Sequence, residues 1–205
     1  MGEEMAKRAE ILGKWLWILF WLFVPSMIAG FMSNESVLSI SPQIYMAGKG
    51  IRAVCSLVYG GILLKLATVE ERYRTAGICI FVSAAVSVLV IAISAAASIL
   101  GLIISIFGLI VALVGEYNEF QGHSNVLADV DDERSAKWTS LWKWYIGCIL
   151  AMPCGLVVFT MIPLLGLILI CCAGIGVIIV SIMKLVYLYQ TAKVFREYSD
   201  EESAQ

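Results

Sequence analysis

The sequence predicts an all-α, polytopic membrane bundle of six transmembrane helices in three hairpins. Of its 205 residues, 60% are hydrophobic and only 15% are charged, whereas a typical soluble domain is about half apolar and a quarter charged. The 14 basic and 16 acidic side chains are too few to cover a soluble surface of this size. Composition therefore excludes an ordinary soluble enzyme and a disordered chain. Long uncharged runs and the distribution of basic residues support the same prediction.

The hydrophobic runs locate the spans, each of which needs about 20 largely apolar residues. Gly77 to Gly115 holds no charge and would be about 58 Å long as one helix, far beyond a hydrocarbon core of about 30 Å. It must therefore turn, near Ala95 to Leu100. Lys143 and Lys184 bracket a second such run, where Pro163 marks the turn. The predicted spans cover residues 15–32, 51–67, 77–96, 99–118, 142–160 and 164–189.

The basic residues predict the orientation of these spans. Six spans place 12 of the 14 lysines and arginines on the side of the two chain ends, and only Lys49 and Arg52 on the other side. The positive-inside rule then puts both termini in the cytoplasm of a multi-pass protein of the plasma or inner membrane. Tryptophans such as Trp15 and Trp138 flank the span ends, as in an interfacial aromatic belt. An aromatic cage for a cation is the alternative.

The remaining segments complete a single domain, a transmembrane bundle over residues 1–198. A cytoplasmic loop is predicted at 119–141, with a helix beginning near Asp131 because acidic residues precede basic ones there. The stripe of Trp138, Leu141 and Trp142 predicts that this helix lies on the membrane surface before the fifth span begins. The acidic tail at 199–205 is predicted to be disordered.

The fourth predicted span carries a stripe of small residues at alternating spacings of four and three. In lipid, such faces mark close contact between helices. Packing within the bundle is one interpretation, and a homo-oligomer axis or narrow pore lined by serine hydroxyls is the other. The stripe comprises Ser94, Ser98, Gly101, Ser105, Gly108, Ala112 and Gly115.

Three ionisable residues lie near the predicted cytoplasmic ends of spans: Lys65, Glu116 and Lys184. Ionisable groups at membrane depth are candidates for function. One interpretation is anchoring, because lysines this close to the interface can extend their ammonium groups to water. The other is a charged cluster at the cytoplasmic rim, in which Glu116 pairs with a lysine and the group gates or binds an ion.

No catalytic or metal-binding motif emerges from the sequence. His123 is the only histidine and is predicted to be a loop residue without a role, because one histidine with no neighbouring cysteine cannot build a zinc site. The six cysteines all lie in apolar stretches and are predicted to be small packing residues. No cofactor is predicted, and a net charge of −2 gives no electrostatic basis for nucleic-acid binding.

Three functions are compatible with these features. An accessory or structural subunit of a membrane complex explains the small-residue faces, the short loops and the lack of catalytic residues. A small channel or transporter, either alone or as a homo-oligomer, explains the serines and glycines of the third and fourth helices, which would line the pathway. A membrane enzyme would need a nucleophile with a base, or a metal cluster. The expected partners are the lipid bilayer and either another protein or further copies of this chain.

Overall fold

The computed structural model describes residues 2–93, 99–128 and 130–203, and this part of the chain forms seven helices and no strand. Six of the seven, all except the short α2, are long and apolar enough to cross a membrane. The predicted fold class is therefore confirmed. The helices are α1 (Gly2–Met32), α2 (Glu35–Ile40), α3 (Pro42–Leu66), α4 (Arg72–Ile93), α5 (Ile99–Leu127), α6 (Asp132–Met161) and α7 (Pro163–Ser203).

The six long helices form a closed ring. Each packs mainly against the helices that precede and follow it in the chain, and α1 packs against α7 to close the ring. A Cβ atom at Gly13 of α1 would meet Arg196 of α7, so the beginning of α1 lies beside the end of α7. We call this end of the ring the terminal end, and the end that contains α2 the opposite end.

The buried core fills the ring at its terminal end. Because each of the six long helices contributes apolar side chains there, this end of the ring is closed by packed side chains. The fully or nearly fully buried members include Leu12 and Leu16 of α1, Leu63 and Leu66 of α3, Leu127 of α5, Trp138 of α6, and Ala192 and Phe195 of α7.

Local sequence signals explain most helix boundaries. Asn34 accepts a hydrogen bond from the backbone N–H of Ser36 at the start of α2, and Asp131 accepts one from Arg134 at the start of α6; both are standard N-cap contacts. Pro163 occupies the first position of α7, where its missing N–H costs nothing. The turn predicted between the third and fourth spans centres on residues 94–98, which lie outside the described residues.

Several helices extend beyond the bounds predicted for the spans. Helix α3 begins at Pro42, nine residues before the predicted second span, because the charged side chains of Lys49 and Arg52 do not interrupt the helix. Helix α5 continues to Leu127, so the first part of the predicted 119–141 loop is helix. The helix α7 includes residues up to Ser203, so the tail predicted to be disordered from residue 199 is helical at its start.

The predicted surface helix before the fifth span is also wrong. Helix α6 is continuous from Asp132 to Met161 and enters the bundle directly. Trp138 and Leu141 of the predicted interfacial stripe are buried, because their apolar face meets α5 and α7 rather than lipid headgroups. Trp138 therefore does not belong to an interfacial belt, whereas Trp144 of the same helix is exposed.

Candidate functional site

A cluster of charged side chains joins α5 to α7 inside the ring. The ammonium Nζ of Lys184 lies 2.8 Å from Oε2 of Glu116 and 2.8 Å from Oε1 of Glu119. The side chain of Glu119 is 3% exposed, whereas those of Lys184 and Glu116 are 21% and 35% exposed. One ammonium therefore faces two carboxylates, one of them enclosed by protein.

Tyr59 of α3 connects a third helix to this cluster. Its hydroxyl donates a hydrogen bond to Oε1 of Glu119 at 2.5 Å, the same oxygen that faces Lys184. A buried carboxylate without partners is strongly unfavourable, and these contacts supply the partners of Glu119. The ring of Phe120 lies 5.0 Å from Nζ of Lys184, a distance at which an aromatic face also attracts an ammonium.

His123 lies one helical turn beyond Glu119 and is fully buried. Its Nδ1 atom is 2.9 Å from the hydroxyl of Tyr73, and its ring stacks on Trp138 with centroids 4.4 Å apart. The Nε2 atom has no hydrogen-bond partner, although Oε1 of Glu119 lies 3.6 Å away. The imidazole therefore touches the carboxylate system without being hydrogen-bonded to it.

Helix geometry explains why these groups meet. Glu116, Glu119 and His123 follow one another at spacings of three and four residues, which places them on one face of α5. Lys184 comes 21 residues after Pro163, or about 32 Å along an α-helix. Since the hydrocarbon core is about 30 Å thick, the cluster lies near the boundary of that core at the terminal end.

A central cavity of about 390 Å³ adjoins the cluster. All six long helices line it, so it follows the axis of the ring. Its lining is mainly apolar and aromatic, with the charged groups on one side. The lining includes Leu19 and Phe23 of α1, Ser56 and Tyr59 of α3, Ile80 of α4, Glu116, Glu119 and Phe120 of α5, Tyr145 of α6, and Val177, Ser181 and Lys184 of α7.

A larger side cavity of about 880 Å³ reaches the same carboxylates between α3, α4 and α5. Lys49 and Arg52 line it toward the opposite end, and Glu116 and Glu119 line it near the cluster. Ser83 lies along its wall, and the hydroxyl oxygen of Ser83 is buried without a hydrogen-bond partner. The two carboxylates are thus reached from two cavities, whereas His123 lines neither of them.

The structure brings together two of the three ionisable residues predicted from the sequence. Glu116 and Lys184 form an ion pair, but Lys65 is exposed on α3. Lys65 comes six residues after Tyr59, and six residues correspond to about 600° of helical rotation, so the two side chains point in different directions. Lys65 therefore does not belong to the cluster.

The small-residue stripe is divided among different surroundings. A Cβ atom at Gly108 would lie 2.8 Å from Val86, and one at Gly115 would lie 2.8 Å from Cys79, so both glycines pack closely against α4. Gly101 is buried and Ala112 lines the side cavity. The hydroxyl of Ser105 donates to the carbonyl of Gly101 rather than lining either cavity. Ser94 and Ser98 lie outside the described residues.

Sequence reasoning missed Tyr59, Tyr73, Glu119 and His123, and its interpretation of His123 as a loop residue is wrong. The predicted fourth span ends at residue 118, which places both Glu119 and His123 in a loop. No proline interrupts the chain between Gly115 and Leu127, which was the available signal that the helix continues. The two tyrosines have no comparable signal, because contacts between distant segments bring them to the cluster.

Within the described residues, no three histidine, cysteine or carboxylate side chains converge as a metal site would require. All six cysteines are free thiols. No known protein family matches the chain, and neither a curated protein nor a solved structure similar to it was found. The charged cluster and the cavities beside it are therefore the features of this protein that bear on its function.

Proposed function

We propose that this protein is a small transporter of the cell membrane that carries an organic cation through the central cavity. The observation that carries the proposal is the excess of carboxylates at that cavity. Glu116 and Glu119 share the single ammonium of Lys184 at 2.8 Å, so the cluster has a net charge of one negative unit when His123 is neutral. Because unpaired charge is costly in low dielectric, the cavity favours a monovalent cation.

The lining of the cavity supports an organic cation over a hydrated metal ion. Aromatic rings of Tyr59, Phe120 and Tyr145 stand beside the carboxylates, and aliphatic side chains line most of the remaining surface. Aromatic faces attract ammonium groups, and apolar walls favour their alkyl substituents. The volume of about 390 Å³ falls within the range of small-molecule sites, roughly 300–1,000 Å³.

We propose no catalytic role for the cluster. Oε1 of Glu119 already faces the hydroxyl of Tyr59 and the ammonium of Lys184, so this carboxylate is engaged rather than poised as a free base. Three helices contribute to these contacts. Because these contacts join three helices, a cation that changes the charge of the cluster would also change the contacts between the helices. Such an arrangement suits a protein that changes conformation when a cation enters.

Transport is tested with purified protein in liposomes. Tetraethylammonium and benzyltrimethylammonium serve as probes, and uptake is driven by an inside-negative potassium diffusion potential. We expect saturable uptake, reduced about tenfold in Glu116→Gln and in Glu119→Gln, which corresponds to about 1.4 kcal/mol of lost attraction. The matched control is Glu35→Gln, an exposed carboxylate on α2, which should transport like the unmodified protein.

Two results would contradict the transport proposal. One is the absence of uptake above that of empty liposomes for both probes. The other is equal uptake by the two glutamine variants and the Glu35→Gln control, because the carboxylates would then contribute nothing to cation entry.

An accessory-subunit function is supported by a different feature, a groove of about 380 Å³ on the outer face of the α6–α7 hairpin. Small residues line much of it, including Gly147, Ala151 and Ala173, and a Cβ atom at Gly147 would meet nothing within 4 Å. A helix of another protein can approach closely at such a face.

Native mass spectrometry of the protein gently extracted from its own membrane tests this second function. A stoichiometric second polypeptide that is lost in Gly147→Trp would support a subunit role. A monomer or a homo-oligomer without a second polypeptide would contradict it. Gly61→Trp is the control, because Gly61 also has open space around its Cα atom but lies on α3.

A further inference from the structure

We propose that the cluster exchanges one proton for one cation, with His123 as the group that holds the proton. This inference rests on the proposed transport function and specifies how the same site would be regulated. Glu116, Glu119 and Lys184 together carry one excess negative charge, which either a cation in the cavity or an imidazolium at His123 neutralises.

Burial favours the neutral form of His123, whereas two of its contacts favour a protonated ring. Oε1 of Glu119 is 3.6 Å from Nε2, and the ring stacks on the face of Trp138 at 4.4 Å. A carboxylate and an indole face both stabilise a cation. The hydroxyl of Tyr73, 2.9 Å from Nδ1, can accept a hydrogen bond from the imidazolium.

The contacts of His123 also select one tautomer of the neutral imidazole. When Tyr73 donates its hydroxyl proton to Nδ1, the neutral imidazole carries its own proton at Nε2. That N–H then faces Glu119. Both protonation states of His123 are therefore accommodated without moving the ring, whereas an imidazole in an apolar site would favour only the neutral state.

The ionisable groups around the imidazole come from several helices, and together they define the exchange. Helix α6 contributes Trp138, which does not titrate. The groups that face His123 directly or through Glu119 are Tyr73 of α4, Glu119 and Glu116 of α5, Tyr59 of α3 and Lys184 of α7, with Glu70 farther out beside Tyr73.

Competition follows because a cation and a proton share one compensating charge. With both bound, the cluster would carry one excess positive charge in low dielectric, which is as unfavourable as one excess negative charge. The exchange is balanced: the protonated protein and a cation give the cation-bound protein and one proton. Nδ1 of the imidazolium passes its proton to the hydroxyl of Tyr73, its hydrogen-bond partner, and that hydroxyl gives up its own proton, which ends in solvent. No electron transfer or covalent change is needed.

The two ligands approach from different sides of Glu119. The central cavity contacts Glu119, Glu116 and Lys184 but not His123. His123 lies farther along α5, toward the packed terminal end. Glu119 is thus the common contact of the cation and the proton, and each ligand changes the charge that the other meets.

The chain offers a direct test, because His123 is its only histidine. Protein labelled with ¹⁵N-histidine therefore yields the signals of one imidazole in the full, unmodified chain. Tetraethylammonium is added at pH 6 in weakly buffered detergent solution, and a pH indicator records the protons released in parallel. We expect a change from imidazolium toward the neutral Nε2–H form, with about one proton released per cation bound.

Variants separate the role of His123 from that of the cavity. His123→Gln should bind tetraethylammonium without releasing a proton. Tyr73→Phe keeps the imidazole but removes the hydroxyl at Nδ1, so proton release should persist and its pH dependence should shift. This variant also provides a measurement if His123→Gln fails to fold. Gln121→Ala, two residues from His123 and outside the cluster, is the matched control.

The outcomes distinguish failure of the exchange from failure of transport. If tetraethylammonium binds while the imidazole signals and the pH stay unchanged, the exchange is overturned and the transport proposal remains. Undiminished proton release from His123→Gln overturns the assignment of the proton to this residue. If tetraethylammonium does not bind to the unmodified protein, both proposals are overturned.

Discussion

Glu119 and His123 lie one helical turn apart on α5, with Oε1 of the carboxylate 3.6 Å from Nε2 of the imidazole. The same oxygen is 2.8 Å from the ammonium of Lys184. Glu119 thus lies between Lys184, which borders the central cavity, and His123, which is fully buried. Both the transport proposal and the proton exchange depend on this arrangement. Substitutions in the cluster should also change the stability of the protein.

Replacing Lys184 with methionine should destabilise the protein by about 3–5 kcal/mol, the usual cost of removing one partner of a buried ion pair. Glu116 and Glu119 would then repel each other without an intervening ammonium. Thermal unfolding in detergent micelles measures the effect. Lys65→Met is the control, because Lys65 is exposed and a change there should cost less than about 0.5 kcal/mol.

A double variant tests the same ion pair further. Adding Glu119→Gln to Lys184→Met removes one of the two unpaired carboxylates, so part of the lost stability should return. Strictly additive losses in the double variant would show that Glu119 and Lys184 are not energetically coupled.

Replacing Gly108 with leucine should disrupt the contact between α5 and α4. A Cβ atom at this position lies 2.8 Å from Cγ1 of Val86, and a β-branched side chain has little freedom to move away. We expect a loss of about 1–3 kcal/mol from overpacking, together with a changed elution profile. Gly61→Leu is the control, since nothing lies within 4 Å of a Cβ atom there. Unchanged elution and melting of Gly108→Leu would refute close packing.

Trp138→Phe should lower stability by about 1 kcal/mol, because it removes a buried hydrogen bond. The indole Nε1–H of Trp138 donates to Oγ1 of Thr191 at 3.1 Å and joins α6 to α7. Thermal unfolding is again the measurement. Trp144→Phe provides a matched control, because Trp144 is 69% exposed. Equal effects of the two substitutions would argue against a structural role for the Trp138–Thr191 contact.

Cysteine labelling tests the orientation that the basic residues predict. In a variant without the six native cysteines, Ser36→Cys on α2 and Glu71→Cys before α4 provide exposed sites at opposite ends of the ring. With cytoplasmic termini, a membrane-impermeant maleimide should label residue 36 in intact cells. Residue 71 should react only after permeabilisation, and the reverse pattern would invert the predicted topology.

The number of spans and their arrangement in hairpins could be predicted from the sequence because they depend on properties of continuous segments. The length of an uncharged run sets the number of crossings, and Pro163 marks a turn. The pairing of Glu116 with a lysine could also be predicted, because Glu116 and Lys184 lie at comparable depths in their predicted spans. The ends of the helices were less predictable. Charged residues suggest the end of an apolar span, but α3 continues through Lys49 and Arg52, and α5 continues through Glu119.

The composition of the site depended on contacts that no single segment encodes. Tyr59 and Glu119 are 60 residues apart, and Glu116 and Lys184 are 68 residues apart, so their meeting requires α3, α5 and α7 to turn particular faces toward one axis. Side-chain packing around the whole ring sets these rotations. The same packing buries Trp138 and His123, which local sequence had placed at the surface. Hydropathy along the chain thus establishes the membrane spans, whereas the relative rotation of the helices establishes the charged cluster.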